Sequence, residues 1–238
     1  MRRVDGIRAV TYDCWGTLLK DHDWEGAMTR RAGALSLCLE VDEAEAGSLL
    51  KEAWDRHDDA WKQVETFGPG RMAAYCLEKH GVSDDEMLAS LTREFEEASL
   101  DAGVDAVEGA LETIEALKKS DIRVGLICDT GITPARIVRE LLAKVDLLEH
   151  LEVQCFSDEV GVPKPGNDIF AKALAELGCR PPEAVHIGDL RRTDIAGAHD
   201  IGMHAIRFRG VHDDLSDATD AHIVIDRHPE LLDIIGAG

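Results

Sequence analysis

Residues 7–18 read Ile-Arg-Ala-Val-Thr-Tyr-Asp-Cys-Trp-Gly-Thr-Leu, a short β-rich run that stops abruptly at an aspartate and gives way to a glycine turn. A brief apolar run of this kind, bounded by turn residues, suits a strand buried on both faces, as in parallel sheets. Working outward from it, the chain changes character twice. From about Asp21 to Ala102 the pattern is helical, with 3.6-residue spacing in MTRRAGALSLCLE, EAGSLLKEAWDRHDDAW and DEMLASLTREFEEASL and no convincing strand. Gly68-Pro69-Gly70 breaks one helix from the next, and Ser83-Asp84-Asp85-Glu86 reads as a capping box. After Val107, helices and strands alternate. A helix over Glu108 to Ser120 leads into the strand VGLIC, and Thr133-Pro134 opens the next helix. The run EVQCFS follows, then a helix around Ile169 to Leu177 and the strand AVHI ending at Gly188-Asp189. Ala205 to Phe208 and His222 to Ile225 read as two more strands, with Pro229 opening a short final helix.

Strands alternating with helices imply a parallel sheet with right-handed crossovers. The helical block interrupts that alternation after the first strand only, so it reads as an insertion. The expected fold is α/β, a Rossmann-like parallel sheet core flanked by helices. Residues 1–20 and 103–238 would form that core, and residues 21–102 an inserted all-helical domain.

Composition excludes several classes. Hydrophobic residues make up 45% of the 238, enough for a sizeable core. The start, MRRVDGIRAVTYD, lacks the apolar core and cleavage site of a secretory signal, and no stretch approaches the roughly 18 apolar residues of a membrane span. A net charge of −21 argues against a nucleic-acid partner, because phosphate backbones are held by basic surfaces. It leaves room for a small anionic substrate if a metal or lysine reverses the field locally. Cys14, Cys38, Cys76, Cys128, Cys155 and Cys179 show no zinc spacing and read as reduced thiols. A soluble, cytoplasmic protein without membrane contact is expected, with homo-oligomerisation left open.

Ligands of open parallel sheets bind outside the carboxyl ends of the strands. Four such ends carry polar groups: Asp13, Cys128-Asp129-Thr130, Lys164 and Asp189. Two carboxylates and a lysine converging there suit attack by Asp13 on an anionic electrophile, with a divalent cation between Asp13 and Asp189 and Lys164 neutralising developing charge. Taken singly, each has an ordinary alternative: Asp13 and Thr17 as turn residues, Gly188-Asp189 as a helix cap, Lys164-Pro165-Gly166 as a surface turn.

Their order resolves the choice. Asp13-Cys14-Trp15-Gly16-Thr17-Leu18 resembles the first motif of the haloacid-dehalogenase-like (HAD) superfamily, Gly161-Val162-Pro163-Lys164-Pro165 its third, and Gly188-Asp189-Leu190-Arg191-Arg192-Thr193-Asp194 its fourth. The turn Val107-Glu108-Gly109-Ala110 fits as well, and the helical block sits where the family inserts a helical cap directly after the first motif. The resemblance implies a hydrolase in which Asp13 is the nucleophile and Lys164 holds it and the substrate anion. It implies Mg2+ bound by Asp13, Asp189 and the backbone carbonyl of Trp15, with Asp194 in the outer shell. Thr17, Cys128, Asp129 and Thr130 are the implied substrate-binding positions.

Two positions depart from the family pattern. Family phosphatases carry a second aspartate two residues after the nucleophile, as general acid and base; here it is Trp15, whose indole cannot shuttle a proton. Family dehalogenases have an aromatic residue there, so Trp15 leans towards carbon–halogen hydrolysis, and halide needs no protonation to leave. Gly188-Asp189 pulls the other way, since the dehalogenases work without metal and lack that pair. They also receive halide with a cap arginine, for which Arg30 and Arg31 are candidates by region, although both read more simply as exposed helix surface. Cys128 stands where Ser or Thr is usual, and its weaker donor suggests a space-filling substitution. The leading expectation is a Mg2+-dependent phosphatase of a small phosphorylated metabolite, acting through an aspartyl-phosphate. The alternatives are a 2-haloacid dehalogenase-type hydrolase and a catalytically weak binding or regulatory protein of the same fold.

Overall fold

The computed structural model describes residues 3–237. Met1, Arg2 and Gly238, and with them the first two residues of the N-terminal run, lie outside the described residues. The elements run in chain order as β1 (Ala9–Tyr12), β2 (Leu19–Asp21), α1 (Trp24–Leu39), α2 (Glu43–Lys62), α3 (Pro69–Lys79), α4 (Asp85–Ala102) and β3 (Val104–Ala106). There follow α5 (Ala110–Lys119), β4 (Arg123–Cys128), α6 (Ala135–Lys144), β5 (Val153–Phe156), α7 (Ser157–Val160) and α8 (Asn167–Glu176). The chain ends with β6 (Ala184–Gly188), α9 (Ala196–Ile201), β7 (His204–Phe208), β8 (Ile223–Ile225) and α10 (Glu230–Ile235).

The chain divides into two compact units. The first, made of the residues up to Lys20, Asp105–Asp129 and those from Leu142 onward, is a Rossmann-like α/β core. Its six strands form one parallel sheet in the order β5-β4-β1-β6-β7-β8. Ala9, Val10 and Tyr12 of β1 are fully buried, which the unbroken apolar run required. Tyr12 pairs with Leu126 on one side and Ile187 on the other, so β1 lies in the middle. From β1 the chain first builds β4 and β5 on one side and then crosses to β6, making the carboxyl end of β1 the point where strand order reverses. Crevices at that point are where such sheets take their ligands.

The second unit comprises Asp21–Val104 and Thr130–Leu141. Its core contains Leu35, Leu49, Leu50, Met72, Leu91 and Phe95, each buried from an amphipathic helix. Side chains of Asp23, Asp42 and Asp84 cap α1, α2 and α4 by accepting from Gly26, Glu45 and Met87 N–H groups at 2.8–2.9 Å. The cap of α4 is therefore Asp84, not Ser83, and the expected reciprocal box does not form because the third helical residue is Met87.

Two further readings change. Residues 130–141 lie in sequence between strands of the core and were expected there, yet they pack with the helical unit. Ile132 joins its apolar core, Thr133 Oγ1 lies 2.9 Å from Ser99 Oγ, and Arg136 pairs with Glu96 at 2.5 Å. The helical block is also flanked by β2 and β3, a two-stranded sheet absent from the sequence reading. Three residues each, with Lys20, Asp21 and Asp105 exposed, give too little period for a strand signal.

Candidate active site

Asp13 continues the β1 ladder by one bond, its N–H donating to the Ile187 carbonyl at 2.8 Å, and then the chain turns. The turn closes through Leu18 N–H to Cys14 O and Gly16 N–H to Leu19 O, both 2.8 Å. Gly16 sits at φ 77°, and a Cβ there would lie 2.7 Å from Asp189 Oδ2. Glycine is thus required twice, by conformation and by the approach of the acidic side chain. Thr17 Oγ1 donates to Asp13 Oδ2 at 3.3 Å, and the Thr17 carbonyl accepts from His228 Nε2 at 2.9 Å.

Lys164 enters from the segment after α7. Its ammonium lies between Asp13 Oδ1 (2.5 Å) and Asp194 Oδ1 (2.7 Å). Its backbone N–H donates to Asp129 Oδ1 at 2.9 Å. Asp189 follows β6, and Asp194 is carried by a single π-helical turn over Arg191–Ile195, a distortion frequent at functional sites. Gly188 lets Asp194 in: a Cβ there would fall 2.2 Å from the Asp194 carboxyl carbon. Asp194 spends both oxygens, Oδ1 also facing His186 Nε2 at 3.2 Å and Oδ2 accepting from Leu190 N–H at 3.0 Å.

Asp13, Asp189 and Asp194 are all buried, and one oxygen from each lies within 4.8 Å of the others. Three carboxylates against one ammonium leave excess negative charge in a dry place. Burial, with Asp194 adding to it and Lys164 only partly offsetting it, pushes Asp13 up to about 7. Burial and then the charges of Asp13 and Asp194 push Asp189 up to about 8. Asp194 stays below the usual carboxylate range, because Lys164 and His186 outweigh its own burial. Lys164 is likewise buried, yet Asp13, Asp194 and Asp129 keep it firmly protonated. Carboxylates that push each other towards protonation are relieved by a cation, and this set of hard oxygen donors fits a hard divalent one.

The structure brings Asp13, Thr17, Lys164, Asp189 and Asp194 into direct or near contact. Asp129 belongs to the same unit but engages the Lys164 backbone. Trp15 is half-buried and makes an isolated bridge to Leu19. Cys128 is fully buried, its thiol 3.5 Å from the Asp129 carbonyl and hydrogen-bonded to Cys14, and burial raises its pKa well above the ordinary thiol range. Thr130 is buried in the helical unit, where its carbonyl accepts from Thr133 N–H. Arg31, read as exposed helix surface, is instead fully buried in that unit. There the guanidinium finds the Phe95 carbonyl at 2.8 Å and Ser99 Oγ at 2.7 Å. Thr11, His186 and His228 escaped the sequence reading altogether. The available signal was polarity inside apolar runs, Thr11 in IRAVTY and His186 in AVHI.

A sequence profile of haloacid dehalogenase-like hydrolases matches residues 64–208. The chain belongs to the haloacid dehalogenase-like hydrolase family. Among the family's curated proteins, the haloacid dehalogenase-like hydrolase domain-containing protein 3 of Bos taurus is 25% identical over 86% of this chain and 82% of its own length. A glyceraldehyde 3-phosphate phosphatase of Methanothermobacter thermautotrophicus is 29% identical over 91% of each. Several further relatives match over about half of their length. The solved structure of a HAD phosphatase from Thermococcus onnurineus superposes with a TM-score of 0.71, covering 97% of this chain and 99% of that one at 22% identity. That likeness gives the fold of this HAD-like hydrolase. Among its described residues, no helix is long and apolar enough to cross a membrane.

Proposed function

We propose that this HAD-like hydrolase is a magnesium-dependent phosphatase of small phosphorylated metabolites, working through phospho-Asp13. The observation that carries the reading is the Lys164 ammonium held between the Asp13 and Asp194 carboxylates, with Asp189 completing an electron-rich pocket at the end of β1. The likeness to the Methanothermobacter glyceraldehyde 3-phosphate phosphatase, which covers 91% of each chain, supports a small phosphorylated substrate. Free cysteines at all six positions support a reducing, cytoplasmic setting.

Asp13, Asp189 and the Trp15 carbonyl would hold Mg2+, with Asp194 in the outer shell. When bound, Mg2+ supplies the positive charge that offsets repulsion between the carboxylates and a phosphoryl group. The chain's own residues do the rest. An Asp13 carboxylate oxygen attacks phosphorus, the bond from phosphorus to the ester oxygen breaks, and that oxygen leaves with the electron pair and takes a proton from solvent. Lys164 neutralises charge on the transferred group. Water then attacks phosphorus and gives up a proton to solvent, the bond to Asp13 breaks, and phosphate leaves with the carboxylate restored. Thr17 orients Asp13 through its 3.3 Å bond, and Asp129 orients Lys164. Thr17, Cys128 and Asp129 would border the phosphoryl group, and residues 21–102 would supply substrate selectivity.

Trp15 favours a second reading, carbon–halogen hydrolysis by the same nucleophile, because a halide leaves without protonation. One assay separates the two: phosphoesters and 2-haloacids tested with Mg2+, with chelator, and with Asp13→Asn. Phosphate release that vanishes with chelator and in the variant supports the phosphatase. Halide release undiminished by chelator overturns it, and turnover that survives Asp13→Asn overturns both.

A further inference from the structure

We infer that His186, oriented by Thr11, is the positioning residue that keeps the Lys164 ammonium on Asp13; the inference rests on the hydrolytic reading of that site. His186 is fully buried in the middle of β6. Its Nε2 lies 3.2 Å from Asp194 Oδ1, and its Nδ1 lies 2.9 Å from Thr11 Oγ1 on the adjacent strand β1. A carboxylate paired with an ammonium is ionised and can only accept, so Nε2 must carry a proton. Burial keeps the imidazole neutral, which leaves Nδ1 with a lone pair, and the Thr11 hydroxyl fills it at 2.9 Å in preference to the more distant Val185 carbonyl at 3.4 Å. One tautomer therefore satisfies the whole chain, from Thr11 O–H to Nδ1, from Nε2–H to Asp194, and from Lys164 to Asp194 and Asp13.

The ring cannot rotate out of this arrangement cheaply. Phe170 packs edge-on against it with centroids 5.1 Å apart, and Gly197 holds Phe170 so closely that a Cβ would lie 2.3 Å from its ring. Asp194 is thus gripped by Leu190 N–H on one oxygen and by His186 and Lys164 on the other. Without the Nε2–H, Lys164 becomes the sole side-chain donor to Asp194 among the described residues. The ammonium is then drawn towards Asp194 and away from the nucleophile. His186 itself does not touch substrate; it acts through Asp194 and Lys164.

The test compares wild type, His186→Gln, His186→Phe and Thr11→Val as full-length chains with verified melting transitions. The 15N spectrum of histidine-labelled wild type at neutral pH should show His186 protonated on Nε2 alone; a proton on Nδ1, or on both, overturns the assignment. With p-nitrophenyl phosphate and Mg2+, His186→Phe should lose about tenfold to hundredfold in kcat, with KM changed by less than about threefold. Glutamine, whose amide reaches the Nε2 position, should restore kcat to within about threefold of wild type. Equal losses in the Gln and Phe variants, or none in Phe, overturn the inference, since ring packing alone would explain the first and no role the second. If His186→Phe does not fold, the near-isosteric Thr11→Val takes its place. The Nδ1 resonance should then move to its unbonded value and kcat should fall severalfold, and no change in either is a refutation. Should wild type hydrolyse no phosphoester, the phosphatase reading fails while the positioning is still decided by the Lys164 ammonium signal. That signal should be protected in wild type and the Gln variant and lost to exchange in the Phe variant; equal protection in all three overturns it.

Discussion

Acid should weaken this fold through one residue that takes no part in the chemistry, His228. Its ring is fully buried, stacked on Phe208 at 4.4 Å between centroids with Tyr12 tilted beside it at 5.8 Å. Nε2–H donates to the Thr17 carbonyl in the turn that follows Asp13, and Nδ1 has no partner among the described residues. Protonation would place a second N–H and a charge where no acceptor waits. Burial accordingly pushes the imidazole down to about 4 from its ordinary 6.5, although the bond to Thr17 works slightly against it. Because the folded value is depressed, the contribution is fully present above about pH 6.5 and is lost as pH falls towards about 4. At about 1.4 kcal/mol per pH unit the whole gap is worth about 3 kcal/mol, of which about 2 kcal/mol disappears between about pH 7.5 and about pH 5. For a chain of this size that is a fall of about 4–8 °C in melting temperature. The assay is urea denaturation across that range for wild type and His228→Gln, which keeps a donor for Thr17 but takes no proton. Raised carboxylates such as Asp13 and Asp189 slope the other way and cancel in the difference. A difference curve that is flat between those pH values, or that favours wild type more at low pH, would refute the reasoning.

Other perturbations reach the site directly. Asp13→Asn should abolish turnover while preserving the fold, read as loss of phosphate release with an unchanged or raised melting temperature, since it also removes a buried charge that burial pushes up. Lys164→Met leaves Asp13 and Asp194 without their shared cation and should cost about 3–5 kcal/mol in urea unfolding. Saturating Mg2+ at about 100 times its dissociation constant should stabilise wild type by about 2.7 kcal/mol. Asp189→Asn should lose most of that gain, seen as a melting shift that collapses on chelation. Gly16→Ala should reduce both stability and activity, because the new Cβ meets Asp189 at 2.7 Å in a left-handed backbone; a variant matching wild type in both measurements would contradict that contact.

How much of this was legible in the sequence depended on whether a residue announces itself locally. The β1 run and the alternation after Val107 did so, because strands buried on both faces have an apolar period visible in a few residues. Asp13, Lys164 and Asp189 did so through the motifs around them. The small β2–β3 sheet could not, since three residues carry no period. Arg31 misled for a related reason: a helical arginine reads as surface until α4 supplies the Phe95 carbonyl and Ser99 hydroxyl that let its charge be buried. Residues 130–141 misled because chain order places them between core strands, whereas Ile132, Thr133 and Arg136 pack on helical partners distant in sequence.

The polar residues inside strands were the hardest to read and explain most about the site. Thr11 and His186 stand in apolar runs where a single-sequence reading treats them as interruptions of the core. Parallel pairing of β1 with β6 puts them in register, Thr11 opposite His186, and turns two interruptions into one hydrogen bond. That bond sets which imidazole nitrogen faces Asp194, and Asp194 sets where the Lys164 ammonium rests. A buried lysine between two carboxylates is stable only when every remaining lone pair and proton has a partner. The missing acid at Trp15 is therefore not compensated anywhere along this chain of contacts. What the contacts provide is charge placement, and a reaction whose leaving group needs little help is the one such placement can drive.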